Sequence, residues 1–258
     1  MIPKIIHYCW FGKGKIPEQQ QHYIDDWKRK CPDWEIKLWN ETNFDISQHP
    51  FVASAYKKNK FAFVSDYVRV WALHHQGGIY LDTDVELKQS LDCFLQHEAF
   101  SCIETKGIAF TSAVWGSAIG HSLTRRMLEY YDSRLYEEKE PPNTITITGM
   151  LEEHYSIDSE IDQNQLGQDE ANSIQIYASH YFCLDLPANY ATHHFIGSWT
   201  DTSKSESYKD RVHKKYYSEN FIDHSTINDN IFLKKIASEI TLKKLFHLIR
   251  YFIKFKFK

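Results

Sequence analysis

The stretch FAFVSDYVRVWALHHQGGIYLDTDVEL, Phe61–Leu87, decides the fold of this 258-residue chain. Its first half has apolar residues at helical spacing and predicts a helix, which the pair Gly77–Gly78 ends. The next segment, IYLDTDVEL, predicts a strand that carries Asp82 and Asp84. Because residues i and i+2 of a strand point to the same face, both carboxylates can converge on one point.

Strands and helices alternate on the N-terminal side of this stretch. KIIHYCW and WEIKLW indicate strands, and PEQQQHYIDDWKRKCP between them predicts a helix that Pro17 opens and Pro32 stops. This alternation predicts an α/β fold with a mixed, mainly parallel central sheet. Ligands of such sheets bind at the carboxyl ends of the strands, which is where Asp82 and Asp84 lie.

The remaining segments extend this α/β domain over residues 1–200. AFSCIET, TSAVWGS and IQIYASHYFCL indicate strands, and HSLTRRMLEYYDSRLYEE and PPNTITITGMLEEHY predict helices. Residues 201–230 are polar and predict a linker or loosely packed segment. Residues 231–258 predict a basic amphipathic helix. Thr241–Lys258 contains six basic and no acidic residues, so the net charge of −4 corresponds to −10 on residues 1–240.

Composition narrows the class of protein. Five cysteines without a CxxC pair suit neither a zinc site nor a disulfide framework, which favours a reducing compartment. We expect no signal peptide in MIPKIIHYCW, which is short and polar, and no apolar run approaches the roughly 20 residues of a membrane span. The acidic charge of residues 1–240 argues against a nucleic-acid partner.

The charged residues of Phe61–Leu87 can be interpreted as purely structural or as functional. Asp82 and Asp84 could be turn residues that end a strand, or hard oxygen ligands of Mg²⁺ or Mn²⁺. Asp66 and Arg69 share a helix face and could form an exposed ion pair that contributes little. Since the helix leads directly into the acidic strand, all four side chains can instead face one crevice. Such a crevice suits a diphosphate flanked by hydroxyl groups.

The whole stretch resembles the signature of the DXD-containing glycosyltransferase family 32. The shared pattern is S/A-D-x-x-R-x-x-x-L-x-x-x-G-G-x-Y-x-D-x-D, and IPKIIHYCWFG and HHFIGSW resemble other segments of that family. The family includes initiating mannosyltransferases, capsule and lipopolysaccharide sugar transferases and, more distantly, the catalytic domains of large clostridial glucosylating toxins. The resemblance covers residues 1–200 and implies a GT-A-type nucleotide-sugar-binding fold.

Donor-binding roles follow from the resemblance. Trp10 would stack on the nucleobase, with a buried core position as the alternative. Asp66 would bind hydroxyl groups of the donor sugar, and Arg69 would orient the sugar or the diphosphate. Tyr80 would lie near the ribose or base, and Ser198–Trp199 would touch the diphosphate.

The resemblance also implies the metal site. Asp84 would be the direct ligand, and Asp82 would bind the ribose and, directly or through water, the metal. His194, five residues before Trp199, would be the third ligand, with His193 as the alternative. A histidine ligand favours Mn²⁺ over Mg²⁺.

The resemblance implies a metal-dependent retaining hexosyltransferase of capsule or surface polysaccharide synthesis. The donor would be a nucleotide-sugar, with UDP-galactose or UDP-glucose favoured over GDP-mannose, and the acceptor a glycan or lipid-linked glycan. Through the basic C-terminal helix, a cytoplasmic enzyme would attach to the inner face of a bacterial membrane. The alternative for that helix is docking on the protein itself. Alternatives for the function are a metal-dependent phosphoesterase or hydrolase, and an inactive sugar-nucleotide-binding protein.

Overall fold

The computed structural model of the chain describes residues 1–183, 189–196 and 240–256. Within them the strands are β1 (Ile5–Cys9), β2 (Glu35–Trp39), β3 (Gly78–Leu81), β4 (Val85–Leu87), β5 (Ala99–Cys102), β6 (Val114–Ser117), β7 (Gln165–Gln168), β8 (Ser173–Tyr177) and β9 (Ala191–His193). The α-helices are α1 (Glu18–Lys30), α2 (Pro50–Lys57), α3 (Phe61–Gln76), α4 (Ser122–Tyr131), α5 (Asn143–Tyr155) and α6 (Leu242–Lys256). Short 3-10 helices cover Ile46–Gln48, Asp92–Phe94 and Ser179–Tyr181.

Seven strands form the central sheet in the order β2-β1-β3-β6-β5-β8-β7. Strand β1 is parallel to β2 and β3, and β5 is parallel to β8. Strand β6 is antiparallel to β3 and β5, and β7 is antiparallel to β8. Five strands therefore run in one direction and two in the other, which confirms the predicted mixed, mainly parallel sheet.

The sheet is covered by helices on both faces. One apolar cluster joins residues of α2, α3, α4 and α5 to one face, and a second joins α1, β4 and the Phe94 region to the other. Alternate residues of β1 and β3 belong to different clusters, as strand geometry requires. Trp27 of α1 is fully buried and donates its indole N–H to the carbonyl of Val85 at 2.9 Å, which ties β4 to this layer.

The predicted strand IYLDTDVEL is in fact interrupted. Strand β3 ends at Leu81, a turn follows in which the Val85 N–H donates to the Asp82 carbonyl at 3.0 Å, and β4 leaves the sheet. Strand β4 pairs instead with β9, so β3 belongs to the seven-stranded sheet and β4 to a separate two-stranded sheet. Asp82 and Asp84 thus belong to a turn, and the prediction that a continuous strand aligns them was wrong. Strand β7 was not predicted, since QLGQ carries no strong strand signal.

The glycine pair has the role expected of it. Gly77 has φ +62° and donates its N–H to the Leu73 carbonyl at 2.9 Å, which ends α3. Gly78 has φ +102°, and a Cβ there would lie 2.7 Å from the Ile5 carbonyl oxygen of β1. Only glycine fits this close approach of β3 to β1 without displacement of backbone.

A buried histidine locks the same turn. His7 accepts the Trp39 indole N–H at Nδ1 (3.1 Å), and its Nε2 lies 2.7 Å from the Gly77 carbonyl oxygen. Burial lowers the pKa of His7 to about 4, so the ring is neutral at pH 7. Because an indole only donates, Nε2 carries the proton and donates to Gly77.

Helix α6 follows residues 197–239, which the structure does not describe and which include the predicted linker 201–230. Its apolar side chains at Leu242, Leu245, Phe246, Ile249 and Phe252 are each at least 40% exposed. Among the described helices, none has both the length and the apolar character needed to cross a bilayer.

We expect Gly78→Ala to lower the free energy of unfolding by about 2 kcal/mol or more. The alanine would have to adopt a positive φ, and its Cβ would overlap the Ile5 carbonyl oxygen. Gly149→Ala is the matched control, because a Cβ at this α5 position meets nothing within 4 Å. The control should be neutral or stabilising by up to about 1 kcal/mol. Urea unfolding measures both, and equal effects would contradict the role assigned to Gly78.

Candidate functional site

A buried arginine lies at the centre of the site. Arg69 donates from Nη2 to Asp66 Oδ1 at 2.9 Å and lies 3.3 Å, through Nη1, from Asp82 Oδ1. Nη1 also donates to the Ser112 carbonyl at 2.9 Å, and the guanidinium carbon lies 4.4 Å from the centre of the Tyr80 ring. Each partner offsets part of the cost of taking this charge out of water. The guanidinium therefore joins α3 to the turn that follows β3.

The Asp66–Arg69 ion pair is buried, which excludes the alternative of an exposed pair that contributes little to stability. The two side chains are only 12% and 6% exposed. Burial raises the pKa of Asp66 to about 6, although Arg69 favours the charged form. A carboxyl group held in this way can accept a hydrogen bond from a sugar hydroxyl.

Asp82 is oriented through one of its oxygens. Oδ1 accepts the Tyr80 hydroxyl at 3.0 Å and faces Arg69, and the Asp82 N–H donates to the Ala113 carbonyl at 2.9 Å. Tyr80 itself is 1% exposed and lies beneath Arg69. The structure thus gives Tyr80 a supporting contact with Asp82 and leaves little of its surface for a ribose or base.

Asp84 is held by the segment that follows β9. Its Oδ2 accepts the Ile196 N–H at 2.9 Å, and its main-chain carbonyl accepts the His194 N–H at 3.0 Å. Its Oδ1 lies 3.5 Å from His193 Nε2. Between these contacts Phe195 turns the chain with φ +48° and packs its buried ring 3.9 Å from the His193 ring.

Three side chains form a cluster with the donor set of a divalent cation. Ligand atoms of Asp82, Asp84 and His193 all lie within 4.8 Å of one another, the one such group in the described part of the chain. The buried His193 Nδ1 has no hydrogen-bond partner among the described residues. Burial alone would lower the pKa of His193, but the adjacent Asp84 carboxylate raises it to about 9. Two carboxylates and an imidazole fit Mn²⁺, which would replace this proton.

His194 points elsewhere. Its Nε2 lies 3.0 Å from Glu86 Oε2, and its ring stacks on Tyr23 of α1 at 4.9 Å between centroids. Strand β9 pairs His193 with Val85, and successive residues of an extended chain point to opposite sides. The structure therefore brings His193, and not His194, to the aspartates.

Trp10 follows β1 at the same end of the sheet. It is half-buried and not a core residue, and its indole N–H donates to the Gly14 carbonyl at 2.7 Å. Its neighbour Cys9 is buried, and burial raises the pKa of that thiol to about 12 although the charge of Arg69 lowers it. Trp10 thus follows Cys9 at the end of β1, and its half-buried indole retains exposed surface for a stacking role. The predicted contacts of Ser198–Trp199 lie outside the described residues.

Sequence reasoning missed Glu86, Tyr23 and the N–H of Ile196 as supports of the site. Knowledge that the short segments VEL and ATH pair would have located Glu86 and the Ile196 N–H, whereas Tyr23 lies on α1. Such short segments give little indication of their partner from sequence alone.

Residues 17–101 match the family described as "Glycosyltransferase sugar-binding region containing DXD motif". This range includes Asp66, Arg69, Asp82 and Asp84 but neither histidine of the β9 region. The match agrees with the class indicated by the sequence pattern, a glycosyltransferase with a DXD motif.

Two yeast proteins and one solved structure illustrate the likeness. The chain is 34% identical over 128 residues to inositol phosphoceramide mannosyltransferase 3 of Schizosaccharomyces pombe, covering 46% of this chain and 34% of that protein. It is 27% identical over 143 residues to the mannosyl phosphorylinositol ceramide synthase SUR1 of Saccharomyces cerevisiae, covering 51% and 36%. These matches span about a third of the relatives' own length. The structure of the PaToxG glycosyltransferase has 18% identity and a TM-score of 0.48, covering 59% of this chain and 70% of that one.

We expect the Asp84–His193 pair to make metal-free stability depend on pH. Because the folded-state pKa of His193 lies above 6.5, its contribution is complete below about pH 6.5 and is lost as the pH rises through about 9. In EDTA, His193→Gln should remove this part of the fall in unfolding free energy between pH 6.5 and 9.5. His75→Gln, at an exposed histidine of α3, is the control and should keep the wild-type slope. An unchanged slope in His193→Gln would contradict the pairing.

Proposed function

We propose that this chain is a metal-dependent hexosyltransferase that moves a hexose from a nucleotide-sugar to a glycan acceptor with retention of anomeric configuration. Asp82, Asp84 and His193 converge beside the buried Asp66–Arg69 pair, and this convergence carries the proposal. His193 replaces His194 as the proposed third ligand because only His193 lies in the cluster. Mn²⁺ is the favoured cation because the set includes an imidazole.

The residues of the chain divide the work between them. Asp82, Asp84 and His193 would hold the cation, which when bound supplies charge neutralisation and Lewis acidity at the diphosphate. Asp66 would orient the donor sugar through its hydroxyl groups. Arg69 is too enclosed to act mainly as a donor contact, so it would act by holding Asp66 and Asp82.

A front-face substitution is the proposed route. The acceptor hydroxyl would attack the anomeric carbon on the side from which the diphosphate leaves, and the leaving diphosphate would accept its proton. This route needs no protein nucleophile. Asp66, the carboxyl group beside Arg69, is already engaged in an ion pair at 2.9 Å. Trp10 would stack on the base at the end of β1, and Ser198–Trp199 would touch the diphosphate.

Donor and acceptor are proposed by class. UDP-galactose and UDP-glucose remain candidates, and the yeast relatives named as mannosyltransferases support testing GDP-mannose on equal terms. Their named acceptor, inositol phosphoceramide, is a lipid and supports a lipid-linked acceptor here. A role in capsule or surface polysaccharide synthesis at the inner face of a bacterial membrane follows as part of the same proposal.

Helix α6 supports the proposed membrane partner. Leu242, Leu245, Ile249 and Phe252 recur at helical spacing and are exposed, and Lys243, Arg250 and Lys254 lie along another side of the helix. An exposed apolar stripe beside a basic stripe suits the surface of an anionic bilayer, where each base contributes about 1 kcal/mol.

Catalysis should depend on Mn²⁺ and on Asp84. We expect EDTA, or Asp84→Asn, to lower nucleotide-sugar turnover by roughly 100-fold or more, because the leaving group loses its counter-charge. Asp33→Asn, which changes an exposed carboxylate, should retain wild-type turnover. Free sugar, nucleoside diphosphate and inorganic phosphate are measured with UDP-galactose, UDP-glucose and GDP-mannose.

The same assay separates the alternatives. Release of inorganic phosphate from simple phosphate esters would indicate a phosphoesterase. Stabilisation by a nucleotide-sugar with Mn²⁺ in a thermal-shift assay, without turnover of any donor, would indicate an inactive binding protein. More than a few per cent of activity in Asp84→Asn would exclude the metal assignment.

Binding to vesicles should require both stripes of α6. In the full chain we expect Leu245→Glu with Phe252→Glu, or Lys243→Glu with Lys254→Glu, to lower co-sedimentation with phosphatidylserine vesicles by about tenfold. Ile119→Glu, at an apolar residue of the body that is 63% exposed, is the control and should bind as wild type. Equal binding by all variants would contradict the membrane role and favour docking of α6 on the protein.

A further inference from the structure

We infer that His194 is a positioning residue of the site: by contacts with Glu86 and Tyr23 it fixes the segment after β9 so that His193 faces Asp84. This inference rests on the metal site of the proposed function. It assigns to the second histidine of the pair a role that does not involve contact with the cation.

The two histidines point to opposite sides of the β4–β9 ribbon. On one side His193 is buried beside Asp84, at 3.5 Å. On the other side His194 Nε2 lies 3.0 Å from Glu86 Oε2, and its ring is parallel to that of Tyr23 within 3°. His194 therefore contacts both β4, the partner strand of β9, and α1, the helix that packs against β4.

Both oxygens of Glu86 have partners in this arrangement. Oε2 faces His194, and Oε1 lies 2.8 Å from Lys88 Nζ. Glu86 is thus held by Lys88, which directly follows β4, and its Oε2 faces the segment after β9. Tyr23 is oriented in turn, because its hydroxyl accepts the Gln19 side-chain N–H at 2.8 Å.

The turn after His194 needs such an anchor. Phe195 has φ +48°, a left-handed conformation that a bulky residue adopts only when its surroundings impose it. The turn brings the Ile196 N–H to Asp84 Oδ2 and the Phe195 ring against His193. With His194 anchored on one side of this turn and Phe195 buried on the other, both Asp84 and His193 keep their orientation.

Binding of Mn²⁺ alone to the full-length chain tests the inference. Titration calorimetry gives the dissociation constant, and pulsed electron paramagnetic resonance detects a histidine nitrogen coupled to the bound Mn²⁺. We expect His194→Ala to weaken binding by about tenfold, the lower end of the effect of residues that orient metal ligands. The nitrogen coupling should persist in this variant, since His193 remains. His194→Gln, whose amide N–H can donate to Glu86, should recover most of the affinity.

Further variants locate the effect. Glu86→Ala should also weaken binding, and the double variant should bind no more weakly than His194→Ala, because Glu86 acts on the site through its contact with His194. His193→Ala should remove both the binding and the nitrogen coupling. If His194→Ala shows no cooperative thermal unfolding transition, Glu86→Ala tests the same contact from the other strand, because it removes the acceptor of the His194 N–H.

Different results overturn different statements. If His194→Ala binds Mn²⁺ within about twofold of wild type and His193→Ala does not bind it, the positioning role is wrong and the proposed metal site stands. Loss of the nitrogen coupling in His194→Ala, with its retention in His193→Ala, makes His194 the ligand and overturns the inference. Absence of Mn²⁺ binding by the wild-type chain overturns both the inference and the proposed metal site.

Discussion

The guanidinium of Arg69 is the group on which the geometry of the site depends. It is buried between Asp66 and Asp82, so it joins a helix to the turn that follows the neighbouring strand. A buried charge of this kind is tolerated only with its partners in place, and removal of one partner leaves the others uncompensated. Because Arg69 needs both partners, it also fixes the positions of the Asp66 and Asp82 carboxylates. The contact with Ser112 extends it to the loop before β6.

A second constraint comes from the far end of the described α/β body. Asp84 receives three contacts from the segment 193–196, through a side chain and two main-chain N–H groups. Asp82 depends on residues near it in sequence, whereas Asp84 depends on residues more than a hundred positions away. The two carboxylates of the motif therefore differ in how they are held. Asp82 is oriented by residues near it in sequence, and Asp84 by residues that are distant in sequence.

The part of the site that could be predicted from sequence is the local part. Asp66 and Arg69 share a helix face through spacing alone, and the glycine pair marks the end of that helix. The break after Leu81 corresponds to the turn alternative for Asp82 and Asp84. The segment DTD contains neither Gly nor Pro, so the sequence did not decide between that turn and one continuous strand. The choice between His193 and His194 depends on the register of β9 against β4. A shift of one residue would exchange them, and nothing within HHFIGSW determines that register.

The long range of the Asp84 contacts has a consequence for biosynthesis. Arg69 has all its partners once β6 has emerged from the ribosome, but the contacts of Asp84 wait for residue 196, about 80 residues later. At roughly 5 to 20 residues per second this interval lasts about 4 to 16 seconds. During that time the contacts of Arg69 can form, but Asp84 still lacks its partners from residues 193–196. The Asp84 half of the candidate metal site can therefore form only after most of the α/β body has been synthesised.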